Sequence, residues 1–220
     1  MKIVFICSTN ASVVKQALQS DLLNDFDIEF VSDRLCGAID FAKAQGFSYK
    51  VLEAKDGKEF SALLSDVYSN NDDNLFISFY TRLLTNPFLN KQMGRLINFH
   101  PSILPACPGM DGFGDTIQSG AMFVGSTVHF IDSGIDTGFP ILQGAFPKNI
   151  SLAVNRLRHR VFLQQVISLI QVTYWFKEQR VKLINGQCYI SNAEYNVSEF
   201  SPNLDQELQK IYESWLKELL

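Results

Sequence analysis

Leu96-Ile97-Asn98-Phe99-His100-Pro101-Ser102 closes a series of short apolar runs in the first hundred residues, and it ends in polar side chains and a proline. The earlier runs cover 3–7, 28–31, 49–52 and 75–79, with helix-like stretches between them at 12–23, 37–45, 60–68 and 86–93. This alternation predicts a parallel α/β sheet, because each parallel crossover needs a connection long enough for a helix. The runs are apolar throughout, as expected of strands covered on both faces. Ligands in such sheets sit beyond the carboxyl ends of the strands, where the loops 8–12, 80–84 and 100–114 fall. Strand alternation puts Asn98 and His100 on one side, and Pro101 stops the strand there.

Beyond residue 126 the pattern changes. Residues 127–131 and 140–145 read as strands, and Leu163, Val166, Ile167, Ile170 and Tyr174 recur at helical spacing inside an expected helix from about 151 to 176. Asn185-Gly186 between runs 181–184 and 187–190 predicts a hairpin. A last helix is expected from Pro202-Asn203 through Leu220, with Leu204, Leu208, Ile211, Trp215 and Leu219 on one apolar face. That face needs a partner within the chain or across a homodimer.

At 220 residues and 46% hydrophobic, the chain can bury a core without staples. Its four cysteines, Cys7, Cys36, Cys107 and Cys188, form no C-x-x-C pair; they predict free thiols in a reducing cytoplasm rather than a zinc site or disulfide framework. A net charge of −4 argues against nucleic acid or an anionic membrane and leaves small-molecule partners. The opening run stops at Ser8, short of a signal-peptide core. The longest later apolar stretch, 161–176, is broken by Gln164, Gln165 and Gln171 and is shorter than the roughly 20 residues a bilayer requires.

Asn98, His100 and Asp136 can together form an acyl-transfer site. An amide can hold a developing oxyanion, an imidazole can move a proton near neutral pH, and a carboxylate can fix the imidazole's tautomer. Taken singly, His100 reads as structural and Asp136 as a turn residue in Ile135-Asp136-Thr137-Gly138. His129, in a strand-like run, is expected to pack or hydrogen-bond near the site, and His159, in a basic run, to lie at the surface; neither is taken as the base. Asp111 and Asp132 read as loop acids, and Ser102 lacks the G-x-S-x-G context of a nucleophile.

Asn98-Phe99-His100-Pro101-Ser102-Ile103-Leu104-Pro105, Cys107-Pro108-Gly109-Met110-Asp111 and the run from Gly125 to Gly138 resemble the folate-dependent formyltransferase family, most of all its glycinamide ribonucleotide transformylase branch. A weaker likeness runs back from 79–84 to Met1 and forward to about 184. The resemblance implies one domain over 1–220 with the formyltransferase fold, a mostly parallel twisted sheet flanked by helices. Its parts would be a nucleotide-binding-like half at 1–97, a catalytic and folate-binding half at 98–184, and a C-terminal hairpin and helix at 185–220.

The resemblance also implies transfer of a formyl group from 10-formyltetrahydrofolate, as co-substrate, to a small-molecule amine such as glycinamide ribonucleotide, without a metal. Asn98 would hold the formyl oxygen, His100 would relay a proton and Asp136 would orient His100. Thr81, Arg82, Leu83 and Leu84, with Ile131, Asp132, Ile135 and Asp136, would form the pterin pocket, largely through backbone. Ser8, Thr9, Asn10, Ala11 and Ser12 would meet the acceptor's phosphate, and Gln165 its ribose. The first loop departs from the family's G-x-G-S-N, reading Thr9-Asn10-Ala11-Ser12-Val13. A Cβ at Thr9 and Ala11 is expected to hinder positive φ and close backbone approach. Hydroxyls of Ser8 and Ser12, and a cation among Arg156, Arg158 and Arg160, are the expected substitutes. Rival readings are an amino-sugar nucleotide formyltransferase, a formyltetrahydrofolate hydrolase and a non-enzymatic folate-binding protein.

Overall fold

The computed structural model describes residues 1–68 and 73–219; Leu220, the expected end of the last helix, lies outside them. Two compact units emerge: Met1–Asn98 with Phe130–Gly134, and Phe99–His129 with Ile135–Leu220.

The first unit alternates β1 (Lys2–Cys7), α1 (Ser12–Gln19), β2 (Asp27–Ser32), α2 (Gly37–Gln45), β3 (Ser48–Val51), α3 (Gly57–Val67), β4 (Asn74–Phe79), α4 (Phe88–Lys91) and β5 (Leu96–His100). Its strands are parallel and ordered β3-β2-β1-β4-β5. Chain order therefore reverses between β1 and β4. Val4, Ile6, Phe60, Leu64, Phe76 and Phe88 share one core cluster, and Ile3 through Cys7 are wholly buried, as the apolar runs require. The exposed edge strand β3 is the exception to two-sided burial. Helix α3 begins at the N-cap Asp56, which accepts from Glu59 N at 2.9 Å, and Glu59 accepts in turn from Lys55 N at 2.9 Å, one residue before the cap.

Two helices are shorter than the sequence predicts. After α1, the Ser20 hydroxyl bonds back to Ala17 O at 2.6 Å and Asp21 turns left-handed at φ 61°. Helix α4 keeps one turn after Pro87.

The second unit holds α5 (Gly112–Gln118), β6 (Phe123–Phe130), β7 (Pro140–Pro147), α6 (Val154–Lys177), the hairpin β8 (Val181–Ile184) and β9 (Gln187–Ile190), β10 (Phe200–Ser201) and α7 (Gln206–Leu219). Strands β6, β7 and β10 pair antiparallel in that order. Helix α5 was not expected: Gly112 and Gly114 weaken its helical signature, but Asp111 caps it by accepting from Gly114 N at 3.2 Å. Helix α7 starts four residues after Pro202, where Asp205 exchanges hydrogen bonds with Gln171 at 2.6 and 2.8 Å and pairs with Arg180 at 2.8 Å.

Helix α7 packs on α6 of the same chain through the buried Leu208 and Tyr212, while Ile211, Trp215 and Leu219 of the expected face are half-buried. The stripe on α6 is core, but burial extends further round the helix to Gln164 and Gln171. Gln164 donates to Glu199 at 2.7 Å, and Glu199 also accepts from Arg160 at 2.6 Å and Tyr212 at 2.7 Å. Among the described residues, no helix is long and apolar enough to cross a membrane.

Candidate active site

At the end of β5 the chain passes His100 and enters a loop held by side chains rather than by secondary structure. Ser102 Oγ, fully buried, donates to the carbonyls of Ala106 at 2.7 Å and Cys107 at 3.1 Å, so it closes the loop and is not poised as a nucleophile. Thr127 on β6 donates to Ser102 O at 2.8 Å and accepts from Leu104 N at 3.0 Å, while Gln143 on β7 bridges Leu104 O and Thr127. These bonds carry the loop to Cys107, which sits left-handed at φ 51°. The Cys107 carbonyl lies 2.8 Å from His100 Nε2.

That bond assigns the two ring nitrogens. A carbonyl only accepts, so Nε2 carries a proton in either charge state of the ring. The other nitrogen, Nδ1, lies 3.4 Å from Asp136 Oδ2. Asp136 is itself left-handed at φ 53°, a conformation aspartate tolerates better than most residues. Its Oδ2 accepts from Gly109 N at 2.8 Å, and its Oδ1 lies 3.5 Å from His129 Nε2. His100 and His129 are both buried, so the carboxylate stands between two imidazoles at low exposure. Asn98 lies on β5 two residues before His100, and Gln165 Nε2 reaches Phe99 O at 3.4 Å.

In the first unit the reversal between β1 and β4 brings two expected loops together, as the switch-point rule requires. Ser8 Oγ accepts from Thr81 N at 3.0 Å and lies 2.9 Å from Thr81 Oγ1. Four more contacts hold the 81–85 segment. Thr85 N donates to Ser61 Oγ at 2.8 Å, and the Leu83 carbonyl packs so closely on Gly57 that a Cβ there would lie 2.1 Å from its oxygen. Arg82 donates to Asp33 Oδ2 at 3.0 Å and Lys55 O at 3.1 Å.

Asp33 is buried, and Arg34 and Tyr80 bond it as well. Burial opposes its charge, but these donors outweigh that and hold its carboxyl below the ordinary aspartate range; burial, and then the bond to Asp33, push the Tyr80 phenol up to about 12. Leu84 is buried in the core cluster and Ile131 packs against it, whereas Leu83 is exposed. A fixed backbone beside an apolar wall suits a flat heteroaromatic ring. Asp132 accepts from Gly134 N at 2.9 Å, as a turn residue does, and Ile135 is exposed.

The Formyl transferase family model matches residues 1–173. The chain belongs to this family. It is 31% identical over 133 residues to the phosphoribosylglycinamide formyltransferase of Bacillus subtilis, covering 56% of this chain and 68% of that one. It is 32% identical over 108 residues to the trifunctional purine biosynthetic protein adenosine-3 of Drosophila melanogaster, covering 46% of this chain but only 8% of the relative's length. The crystal structure of glycinamide ribonucleotide transformylase 1 from Symbiobacterium toebii superposes with a TM-score of 0.75 at 25% identity, covering 87% of this chain and 94% of that one.

Several positions differ from what the sequence led us to expect of this formyl transferase family member. Ala11 adopts φ 48° and ψ 51°, so its Cβ does not prevent the left-handed backbone. Thr9, by contrast, keeps to the expectation and does not take positive φ; its carbonyl accepts from Ala38 N at 3.0 Å. Thr9, Asn10 and Ser12 are exposed, but the buried Ser8 hydroxyl is turned to Thr81. The three candidate cations are engaged elsewhere: Arg156 with Leu219 O at 3.1 Å, Arg158 over the Phe113 ring at 4.3 Å, and Arg160 with Glu199 and the Phe146 ring.

His129 lies beside the site as its strand position predicts, 3.5 Å from Asp136 Oδ1. Asp33, just past a strand end, could have been found by the same carboxyl-end rule. The Cys107 carbonyl has no side-chain signature.

Proposed function

We propose that this protein transfers the formyl group of 10-formyltetrahydrofolate to the amine of glycinamide ribonucleotide, a step of purine biosynthesis in the cytoplasm. The observation that carries the proposal is the His100–Asp136 pair, with Nε2 of His100 committed to the Cys107 carbonyl, two residues along β5 from Asn98. The family supports it, as do the named activities of the relatives.

When bound, the folate supplies an activated formyl group. Residues 81–84 and Ile131 are the groups that would hold its ring. The Asn98 amide donates to the formyl oxygen as the amine adds and charge builds there. His100 Nδ1 takes the proton the adding amine gives up and passes it to the departing folate nitrogen, and the Asp136 carboxylate steadies the charge on the ring in between. Gly109 N and His129 keep Asp136 oriented between them. No side chain caps the start of α1 after the left-handed Ala11, and a helix N-terminus suits an anion, which favours a phosphorylated acceptor.

The test is an assay of purified protein with 10-formyltetrahydrofolate and glycinamide ribonucleotide, followed by folate absorbance. Formyl transfer that needs the amine is expected. Formate release without any amine would replace this reading with a hydrolase, turnover only with an amino-sugar nucleotide would replace the acceptor, and folate binding without turnover would make the protein a binder.

A further inference from the structure

Gly112, at the start of α5, lies beside Nε2 and Cε1 of His100. A Cβ at this position would stand 2.3 Å from His100 Nε2, 2.8 Å from Cε1 and 3.1 Å from the Cys107 carbonyl oxygen. It would therefore enter the Nε2–carbonyl hydrogen bond itself. Neither neighbour can yield cheaply: His100 is buried on β5, and the Cys107 carbonyl is held by Ser102 Oγ at 3.1 Å. The glycine is not there for backbone reasons, since its φ lies outside the left-handed region and it belongs to a helix. In an exposed helix, alanine in place of glycine stabilises by roughly 1 kcal/mol. The one requirement the structure places on residue 112 is the space occupied by the imidazole.

We infer that Gly112 is a positioning residue: its missing side chain lets His100 bond the Cys107 carbonyl through Nε2, which leaves Nδ1 as the working nitrogen beside Asp136. This rests on the formyl-transfer reading for its catalytic consequence, but its geometric part stands apart from that reading.

The experiment has two readouts on wild type, Gly112→Ala and the control Gly114→Ala, whose Cβ meets the exposed Asp111 carboxylate that caps α5 rather than His100. Long-range ¹H–¹⁵N NMR of the imidazoles at about pH 8.5, where an ordinary histidine is neutral, should show the wild-type His100 as the Nε2–H tautomer. Gly112→Ala should lose that signature, and Gly114→Ala should keep it. In the formyl-transfer assay, Gly112→Ala should lower kcat about a hundredfold while KM for formyl-folate stays within about threefold, because a misplacement of about 1 Å at the reacting group has that effect. Gly114→Ala should retain its rate. A Gly112→Ala protein that keeps the Nε2–H tautomer overturns the inference, whether or not the wild type transfers formyl groups. Loss of the tautomer with full turnover overturns its catalytic half, and equal loss in both variants reduces the effect to distortion of α5. If wild type shows no transfer, the NMR arm alone decides, and the functional reading fails separately.

Discussion

Asp136 faces Gly109 N, His100 and His129 with one carboxylate, and it does so from a left-handed backbone. Asparagine tolerates that backbone and preserves the shape, so Asp136→Asn isolates the charge. It should lower kcat about a hundredfold or more with little change in thermal midpoint, measured by steady-state kinetics beside a melt. Asn98→Ala and His100→Ala should each remove on the order of 3 kcal/mol of transition-state stabilisation, again a hundredfold or more in kcat, with formyl-folate binding retained in equilibrium titration. The two first-loop residues, alike in sequence, separate in the structure. Ala11 holds a conformation that costs an L-residue roughly 1–2 kcal/mol, so Ala11→Gly should stabilise slightly or be neutral once the greater freedom of the unfolded chain is subtracted. Thr9 has no such strain to relieve, and Thr9→Gly should destabilise by about 0.5–1 kcal/mol. Chemical denaturation of the two variants checks the contrast.

Loops and helices change the roles that residue types suggest. Ser8 reads as a phosphate ligand, but its hydroxyl joins the β1 loop to Thr81 in the β4 loop. Ser8→Ala should therefore raise KM for formyl-folate about tenfold, the worth of a bond or two of roughly 1 kcal/mol, and leave KM for glycinamide ribonucleotide nearly unchanged. The opposite pattern would return Ser8 to the acceptor. Further along the chain, Gln164 and Gln171 read as interruptions in an apolar helix. Packed, they fasten α6 to Glu199 and to Asp205, and through those residues to the strand and helix that follow. Glu199→Ala leaves Arg160, Gln164 and Tyr212 without their shared acceptor, and should cost about 2–4 kcal/mol in denaturant unfolding.

For the molecule as a whole, acid sensitivity follows from two buried carboxylates in the first unit. Glu29 on β2 is buried, which opposes its charge, but bonds from Lys50 at 2.5 Å, Tyr68, and Lys2 at 3.1 Å prevail and hold its carboxyl below the ordinary range. Asp33 is lowered for the same kind of reason. A lowered folded-state pKa means the unfolded chain binds more protons in acid, so this stabilisation is complete above roughly pH 4–4.5 and fades as pH falls through the folded values. Glu29→Gln should therefore destabilise at neutral pH and flatten the decline of stability below about pH 4, read from denaturation midpoints across pH. The sequence by itself determined the parallel half, because strand and helix periodicities are local and burial on both faces writes unbroken apolar runs. It also marked Asn98, His100 and Asp136, since their chemistry resides in side chains whose order and spacing are visible in the chain. Only the packed chain shows that His100 Nε2 meets the Cys107 carbonyl, that a Cβ at residue 112 would meet the imidazole, that Ala11 turns left-handed, and that α7 packs on α6. Each of these depends on a backbone carbonyl, a missing Cβ or a contact between distant segments, and none of those has a residue type of its own.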